Sequence, residues 1–399
     1  MDIVGAFSDI EDFRCPQGHR YPPGPMIVIV IMSIACGYPA HREIGRFANA
    51  NSERLTEIFS LTQNRTPSHV TFRNLIQHTD FKCVCQIFKS WAEQYVSTAS
   101  GDWLAVDGKA IASTVSDYDN SYQDFVSLIS IFSQRRGQVV GFDKLSNKKS
   151  SEIPTSEEIV RAPGLKNVVF TTDAPHCQKK TLRTIVETDN DYLVRVKANQ
   201  PKLPESVRRK AETSVPTDVC KTVEKSRGHL ETREVAVFEP PSDIPKGRTE
   251  ISRIISVRRI FESPKKSHTS ISYYISSITS DSAELFAQGI RGHWHVENRL
   301  HYVKDVVMNE DDSGIRNVNA AANMSVFRNI VINIFRGNGF DSVRGASVFF
   351  AANIRKLYNR EFEGHELKKW RTTILSDFSD MKSFPMKNAH ASRVRPHCW

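Results

Sequence analysis

The sequence predicts an α/β protein, in which a mixed sheet flanked by helices follows a helical region and contains a β-rich insertion. Apolar residues recur at helical spacing through residues 24–97, as expected of packed helices. From residue 101 onward, apolar strand-like runs alternate with helical segments, a pattern typical of a sheet covered by helices. Between residues 220 and 278 only alternating runs appear, and these favour strands.

These patterns predict three regions. Residues 1–97 form a helical N-terminal domain that could bind DNA. Residues 100–338 form the α/β core, which is interrupted by the β-rich insertion at about residues 202–279. Residues 339–399 form a helix and a loose basic tail, because Trp370–Trp399 mixes Ser, Pro, His and Arg without a periodic pattern.

The charge balance favours a polyanionic partner. Lys and Arg number 54 against 45 Asp and Glu, so the formal net charge is +9. Such a surplus attracts phosphates, because each neutralised phosphate releases condensed counterions. On charge alone, a basic protein without a nucleic-acid partner is the commoner case.

The cysteines and the N-terminus predict a cytoplasmic protein without a membrane partner. Seven scattered cysteines do not resemble the dense, even framework of a secreted disulfide scaffold. The N-terminus lacks the basic region and cleavage site of a secretory signal. The apolar run Met26–Ala35 is too short to cross a bilayer, so we expect a buried helix there.

Two apolar runs end on an aspartate, since Leu104–Val106 leads to Asp107 and Val168–Thr172 leads to Asp173. Neighbouring strands can bring two such acids together, and a helix packed on the sheet can add a third, for which Glu297 is the candidate. Converging carboxylates could hold the two divalent ions, about 3.5–4 Å apart, of phosphodiester chemistry. Each Asp is also compatible with a plain turn residue, and Glu297 with a solvated helix position.

A second pattern surrounds Glu297. His293, Glu297, His301 and Asp305 recur every four residues and therefore share one helix face. The first three could instead form a zinc site, although the His-Glu-x-x-His pattern of zinc proteases is absent. They could also be a polar seam packed on the sheet. Asp305 and Glu310 are the fallback candidates for the third acid.

The segment Thr66–Arg73 predicts a short helix in the N-terminal domain. A Pro turn is followed by Ser and Thr, which are good helix-capping residues. This helix would carry Arg73 outward, where it could lie against DNA. Packing in a plain helical bundle explains the same pattern.

Several short motifs follow one another along the chain between about residues 20 and 340. They are Cys36-Gly37, Pro67–Arg73, Asp107–Lys109, Thr172–Lys180, Val196–Pro201, Arg291–Asn298, His301, Asp305-Val306, Asn309–Asp311 and Ile315-Arg316. Together they resemble the bacterial insertion-sequence transposases of the ISAs family, also called H-repeat-associated proteins, which are DDE transposases.

The resemblance implies a ribonuclease-H-like core with a β-strand insertion between the second and third acids. It implies that Asp107, Asp173 and Glu297 are the catalytic and metal-binding residues, with Mg²⁺ as the ion and Mn²⁺ as a substitute. It also implies a DNA transposase that cleaves at transposon ends and transfers the strand to target DNA. Such enzymes act as homodimers or larger assemblies on DNA, in the nucleoid-associated cytoplasm of bacteria.

Basic and polar residues near these motifs are candidates for DNA contacts. They are Arg73, Lys109, Gln178, Lys179, Lys197, Asn199, Gln200, His293, Trp294, Asn298, His301 and Arg316. Simple surface solvation explains each of them equally well when it is taken singly.

The sequence departs from its relatives at Ala110–Ser113, where an Arg-Gly run is usual, and at Ala198, where Gly is usual. The first change removes a candidate phosphate contact near Asp107. Two rival functions stay open at this point: a catalytically silent DNA-binding protein derived from a transposase, and a metal-dependent nuclease on the same core.

Overall fold

A computed structural model describes residues 3–15, 19–61, 65–114, 125–146, 160–161, 164–173, 179–196, 202–226, 228–242, 250–264 and 266–359. Its helices are α1 (Ile3–Ala6), α2 (Pro23–Ala35), α3 (His41–Ala50), α4 (Ser52–Phe59), α5 (His69–His78), α6 (Phe81–Tyr95), α7 (Lys179–Glu187), α8 (Lys202–Thr213), α9 (Ala283–His293), α10 (Val318–Gly337), α11 (Val343–Ala351) and α12 (Ile354–Leu357). Its strands are β1 (Trp103–Ala110), β2 (Val126–Ser133), β3 (Val139–Ser146), β4 (Val169–Thr172), β5 (Asp191–Val196), β6 (Asp218–Ser226), β7 (His229–Phe238), β8 (Arg253–Glu262) and β9 (Ser267–Ser276).

The strands form one sheet of nine, in the order β3-β2-β1-β4-β5-β9-β8-β7-β6. Strands β1, β2 and β3 pair antiparallel, whereas β1, β4 and β5 pair parallel. Helix α7 connects the parallel strands β4 and β5, since parallel neighbours need a crossover connection. The first five strands therefore form the ribonuclease-H-like mixed sheet that the motifs imply.

The insertion extends this sheet and does not form a separate one. Strand β9 pairs antiparallel with β5, from Leu193 opposite Ser276 to Val196 opposite Tyr273. Strands β8, β7 and β6 then follow as an antiparallel meander. The insertion also begins with helix α8, ahead of its strands. Pro204 lies in the first turn of α8, and a helix tolerates proline there.

The N-terminal helices pack around α10, which is buried on nearly every side. Helix α5 begins as the sequence predicts, because the Ser68 hydroxyl accepts a hydrogen bond from the Thr71 backbone N–H at 3.3 Å. The run Met26–Ala35 is the buried part of α2. Among the described helices, none combines the length and the apolar character needed to cross a membrane.

Helix α10 closes one edge of the sheet through Asn333. Strand β3 is an edge strand, and the Asn333 side chain accepts a hydrogen bond from the Val139 backbone N–H at 2.6 Å. The same amide donates to the Val139 carbonyl at 2.7 Å. The side chain thus takes the place of a neighbouring strand at this position.

We expect Asn333→Leu to lower the free energy of unfolding by about 2 kcal/mol, because two buried backbone groups would lose their partners. Asn329 provides a matched control, since it is also buried on α10 but its side-chain amide has no hydrogen-bond partner among the described residues. Asn329→Leu should therefore be neutral or stabilising. Urea unfolding of both variants checks the difference, and equal midpoints would show that Asn333 does not hold the edge.

Candidate active site

Asp107 and Asp173 lie side by side on neighbouring parallel strands. Val106 on β1 is in register with Thr172 on β4, and each aspartate is the next residue along its chain. Neighbouring strands are about 4.8 Å apart, so the two aspartates lie on adjacent strands at the same level of the sheet. Asp107 does not end its strand as the sequence suggested, because β1 continues to Ala110 against β2. It lies at the point where the other partner, β4, stops.

A π-helical turn brings Glu297 to Asp107. The chain stays helical after α9, and Glu297–His301 forms a turn in which the Tyr302 backbone N–H bonds to the Glu297 carbonyl. Such wide turns are frequent at functional sites. The His301 Nδ1 lies 3.1 Å from a Glu297 carboxylate oxygen and 3.5 Å from an Asp107 carboxylate oxygen. Ligand atoms of these three residues all lie within 4.8 Å of one another.

The fallback acids lie in another cluster. The ammonium of Lys109 is 2.8 Å from the Asp305 carboxylate, 3.5 Å from Glu310 and 2.8 Å from Asp311. Asp305 and Glu310 thus pair with Lys109, and Glu297 is the candidate third acid that lies next to Asp107. The ion pairs also give Lys109 a structural role, while its predicted DNA contact stays a prediction.

A chain of polar contacts leads towards the Asp173 carboxylate. The Gln134 amide donates to the Thr171 hydroxyl at 2.9 Å, and this hydroxyl lies 2.9 Å from the His293 Nδ1. The other ring nitrogen of His293 is 3.8 Å from an Asp173 carboxylate oxygen. His293 therefore belongs with Asp173, so the zinc set of His293, Glu297 and His301 does not form.

Gly292 makes this contact chain possible. A Cβ at Gly292 would lie 2.0 Å from the Gln134 side-chain oxygen, so only glycine lets α9 come this close. We expect Gly292→Ala to cost about 1–3 kcal/mol through overpacking and to displace His293 from Asp173. The melting temperature of Gly292→Ala should fall, while Gly314→Ala, with no atom within 4 Å of its Cβ, serves as the control. Normal unfolding of Gly292→Ala would contradict the close packing.

Burial and neighbouring charge shift the pKa values in the site. Burial raises the pKa of Asp107 to about 6; the nearby His301 opposes this rise, while Asp173 and Glu297 add to it. The hydrogen bond from His301 lowers the pKa of Glu297. A carboxyl group whose ionised form is destabilised next to two other acids is a typical setting for a bound cation.

An arginine-rich groove begins at Asp173 and follows the inserted strands. Adjoining cavities, of about 30, 130 and 360 Å³, share Trp294 in their walls. Four arginines line them, namely Arg195, Arg233, Arg259 and Arg291. Sequence analysis missed these arginines, because only the register of β7 and β8 shows that Arg233 lies opposite Arg259.

The groove keeps a surplus of positive charge. Glu231 accepts hydrogen bonds from Arg233 at 2.6 Å and from Arg259 at 3.0 Å, so one carboxylate serves two guanidinium groups. Arg291 pairs with Glu224 at the rim. Trp294 is 55% exposed, which is unusual for so large an apolar side chain and makes it available to a ligand. Asn298, another predicted DNA contact, lines the same groove.

The remaining predicted contacts are dispersed. Arg73 on α5, Lys179 at the start of α7 and Arg316 before α10 are exposed. His301 is buried beside the carboxylates, where it is better placed to orient them than to touch DNA. Gln178, Lys197, Asn199 and Gln200 lie outside the described residues.

Comparisons with known proteins show which family the chain belongs to. Residues 100–334 match the family described as "Transposase DDE domain", and residues 4–92 match the one described as "DDE_Tnp_1-associated". "Putative protein YbfL" of Escherichia coli (strain K12) is 33% identical over 344 residues, which cover 83% of this chain and 89% of the relative. "H repeat-associated putative transposase YhhI" of the same strain is 32% identical with the same coverage.

A solved structure, "Cryo-EM structure of piggyBac transposase synaptic complex with hairpin DNA (SNHP)", aligns with a TM-score of 0.44 and 9% identity, covering 98% of this chain and 84% of that chain. The family match spans the whole sheet and every candidate acid. The chain belongs to the family of DDE transposases. Within it, the chain is of the H-repeat-associated type.

Proposed function

We propose that this transposase cleaves DNA at the ends of its element and joins the freed ends to target DNA, with Asp107, Asp173 and Glu297 as its catalytic carboxylates. The observation that carries the proposal is the meeting of β1, β4 and the π-helical turn, which brings a third acid to a pair fixed by strand register. In this reaction water attacks a phosphodiester and releases a 3′ hydroxyl. That hydroxyl then attacks a phosphodiester of the target and displaces a 3′ oxygen, without a covalent protein–DNA intermediate.

The donor set fits divalent cations. Asp107 and Glu297 offer carboxylate oxygens beside the His301 ring, and Asp173 follows the neighbouring strand. Carboxylate oxygens are the ligands that Mg²⁺ and Mn²⁺ prefer, so we propose Mg²⁺ as the cofactor with Mn²⁺ as a substitute. When bound, such ions activate the attacking oxygen and stabilise the leaving oxygen.

The other residues orient the acids and bind the substrate. His301 fixes Glu297 through its hydrogen bond, and His293 supports Asp173. The groove arginines would bind phosphate oxygens, for which the planar guanidinium is well suited. The exposed Trp294 ring would stack on a base near the cleaved bond, because every base offers a face for stacking.

We further propose that the enzyme works as a homodimer or larger assembly on paired DNA ends, in the nucleoid-associated cytoplasm of a bacterium. The proposed assembly rests on the need to handle two ends of one DNA element, and the proposed location rests on DNA being the substrate. Light scattering of the protein with and without a duplex carrying the terminal repeat tests the assembly. A single protomer on two bound ends would contradict it.

A strand-transfer assay tests the function. The purified protein is incubated with a labelled duplex carrying the element's terminal repeat, with a target plasmid, and with Mg²⁺, Mn²⁺ or EDTA. We expect cut ends and joined products with either metal and neither with EDTA. Cutting without joining would favour a metal-dependent nuclease, and DNA binding without cutting would favour a catalytically silent DNA-binding protein.

A further inference from the structure

A second basic cavity lies in the N-terminal helical region. Its volume is about 620 Å³, and four arginines, Arg20, Arg42, Arg46 and Arg65, contribute to its wall. No Asp or Glu is found among the described residues that line it. It shares no lining residue with the groove beside Asp173. We call it the arginine pocket.

The sequence of α3 builds one wall of the arginine pocket. Arg42, Arg46 and Asn49 are spaced by four and three residues, so they share one face of the helix. Gly45 lies between them, and a Cβ there would approach the His69 Cβ to 2.6 Å. Glycine at this position therefore allows the beginning of α5 to pack directly on α3, which closes the pocket.

Hydroxyl and amide groups complete the wall. Ser52, Thr66, Ser68 and Thr71 all line the pocket, and Thr66 donates a hydrogen bond to the Asn49 side-chain oxygen at 3.3 Å. The first residues of α5 face the same space, where backbone N–H groups and the helix dipole favour an anion. Arginine, serine, threonine, asparagine and helix N-termini are the groups that contact DNA phosphates.

The arginines are the groups of the pocket that are best suited to phosphates. Of the two rings among the described residues that line it, Tyr21 is only 8% exposed, whereas His69 is exposed at the start of α5 and adds polar ring nitrogens to the wall. Arg42 and Arg46 carry like charges on one helix face, and a bound polyanion removes the repulsion between them. We propose that the arginine pocket binds phosphodiester groups of duplex DNA, at a contact separate from the active site.

This inference rests on the proposed function only in that the substrate is DNA. The far end of α5 is tied to the core, because Asn319 and Asn323 on α10 donate hydrogen bonds to the Thr79 carbonyl at 2.7 and 2.9 Å. A duplex bound in the pocket would thus be held in a fixed position relative to the catalytic sheet.

The test measures the salt dependence of DNA affinity for Arg42→Ala/Arg46→Ala, with EDTA present so that no cleavage occurs. Each lost phosphate contact lowers the slope of log affinity against log salt by about 0.9. Two lost contacts predict that, between 50 and 200 mM salt, the affinity of the wild type falls about tenfold more than that of the variant. The effect should be the same for a terminal-repeat duplex and a scrambled one, since phosphate contacts carry no sequence information.

Arg54→Ala is the matched control, because Arg54 is an exposed arginine on neighbouring α4 that does not line the pocket. We expect it to keep the wild-type slope, and equal slopes for the double variant and this control would overturn the proposal. Arg42→Lys/Arg46→Lys keeps the charge and should keep the slope, with weaker binding because lysine lacks the bidentate geometry. If the salt slope of the lysine variant were as low as that of the alanine variant, the substitutions would have damaged the fold, and this result would also overturn the proposal.

Two further arms separate the remaining possibilities. The first arm measures the melting temperature of the wild type with inorganic phosphate. If phosphate raises it while the wild type and the alanine variant have equal DNA salt slopes, the pocket is a small-anion site and the proposal of DNA binding fails. Strand transfer with Mg²⁺ is measured separately. If the wild type cuts no DNA but the salt slope of the alanine variant is still lower than that of the wild type, the proposal of catalysis fails and the proposal that the arginine pocket binds DNA is retained.

Discussion

Asp107→Asn should reduce DNA cleavage roughly a thousandfold or more, which corresponds to about 4 kcal/mol of transition-state stabilisation. The substitution removes one carboxylate of the group formed with Glu297 and His301 but keeps the shape of the side chain. DNA affinity measured with EDTA should be unchanged or slightly higher, because the lost charge repels phosphate. End-cleavage rates with Mg²⁺ and binding by fluorescence anisotropy check the two parts separately.

Asp143→Asn is the matched control. Asp143 lies on β3 of the same sheet, is also partly buried, and pairs with Lys89 at 3.2 Å outside the candidate site. Its substitution should leave cleavage intact. Cleavage by Asp107→Asn at the rate of this control would remove Asp107 from the catalytic set.

The same variant has an expected effect on stability that depends on pH. Burial is the largest of the causes that raise the pKa of Asp107 from 3.8 to about 6, and the neighbouring Asp173 and Glu297 add to it. The charge of His301 opposes this rise. Without divalent ions, the stability contributed by Asp107 is therefore complete below about pH 4 and is lost as the pH rises through about 6. Asp107→Asn should gain at most about 3 kcal/mol over the wild type at pH 7.5 and nothing at pH 4. Urea unfolding with EDTA at the two pH values checks this, and a gain that did not depend on pH would contradict it.

Glu310→Gln should lower the free energy of unfolding by about 3–5 kcal/mol, because it leaves buried cations without their counter-charge. Glu310 is 1% exposed and lies 3.5 Å from the Lys304 ammonium and 3.4 Å from the Arg328 guanidinium, each of which is 2% exposed. Burial acts to raise the pKa of Glu310, but Lys304, Arg328 and Lys109 outweigh it and lower the pKa to about 2. The carboxylate is thus ionised across the physiological range.

A control variant and a pH dependence check this result. Glu187 also accepts hydrogen bonds from two arginines, Arg183 and Arg161, but it is exposed, so Glu187→Gln should not change the urea midpoint. Burial lowers the pKa of Lys304 to about 8, so the cost of Glu310→Gln should shrink as the pH rises from 7 to 9 and Lys304 loses its proton. A midpoint of Glu310→Gln equal to that of Glu187→Gln would mean that the cluster does not stabilise the fold.

Local patterns in the sequence predicted the elements well where a single segment carried the signal. Helix α5 begins within the segment Thr66–Arg73 where the sequence predicts a short helix, because its capping residues are local. Asp173 follows its strand as predicted, because β4 is an apolar run with a polar residue after it. Capping by Ser68 was likewise a local signal.

Features that depend on pairing between distant segments were not predictable. The attachment of β9 to β5 joins residues about eighty positions apart, and no local pattern indicates it. The groove arginines depend on this pairing and were missed. The continuation of β1 past Asp107 depends on β2, and the ion pairs of Lys109 depend on a loop two hundred residues later. In each case a tertiary contact determined the outcome.

The continuous sheet sets the distance between Asp173 and the groove arginines. Four strand-to-strand steps separate β4, which ends next to Asp173, from β7, which carries Arg233. At about 4.8 Å a step, this is roughly 19 Å, the length of between five and six base pairs at about 3.4 Å each. Because hydrogen bonds cross every step, the backbone fixes this distance, and the side chains between the two residues do not change it. Under the proposed function, the same distance would separate the cleaved bond from a phosphate bound by Arg233.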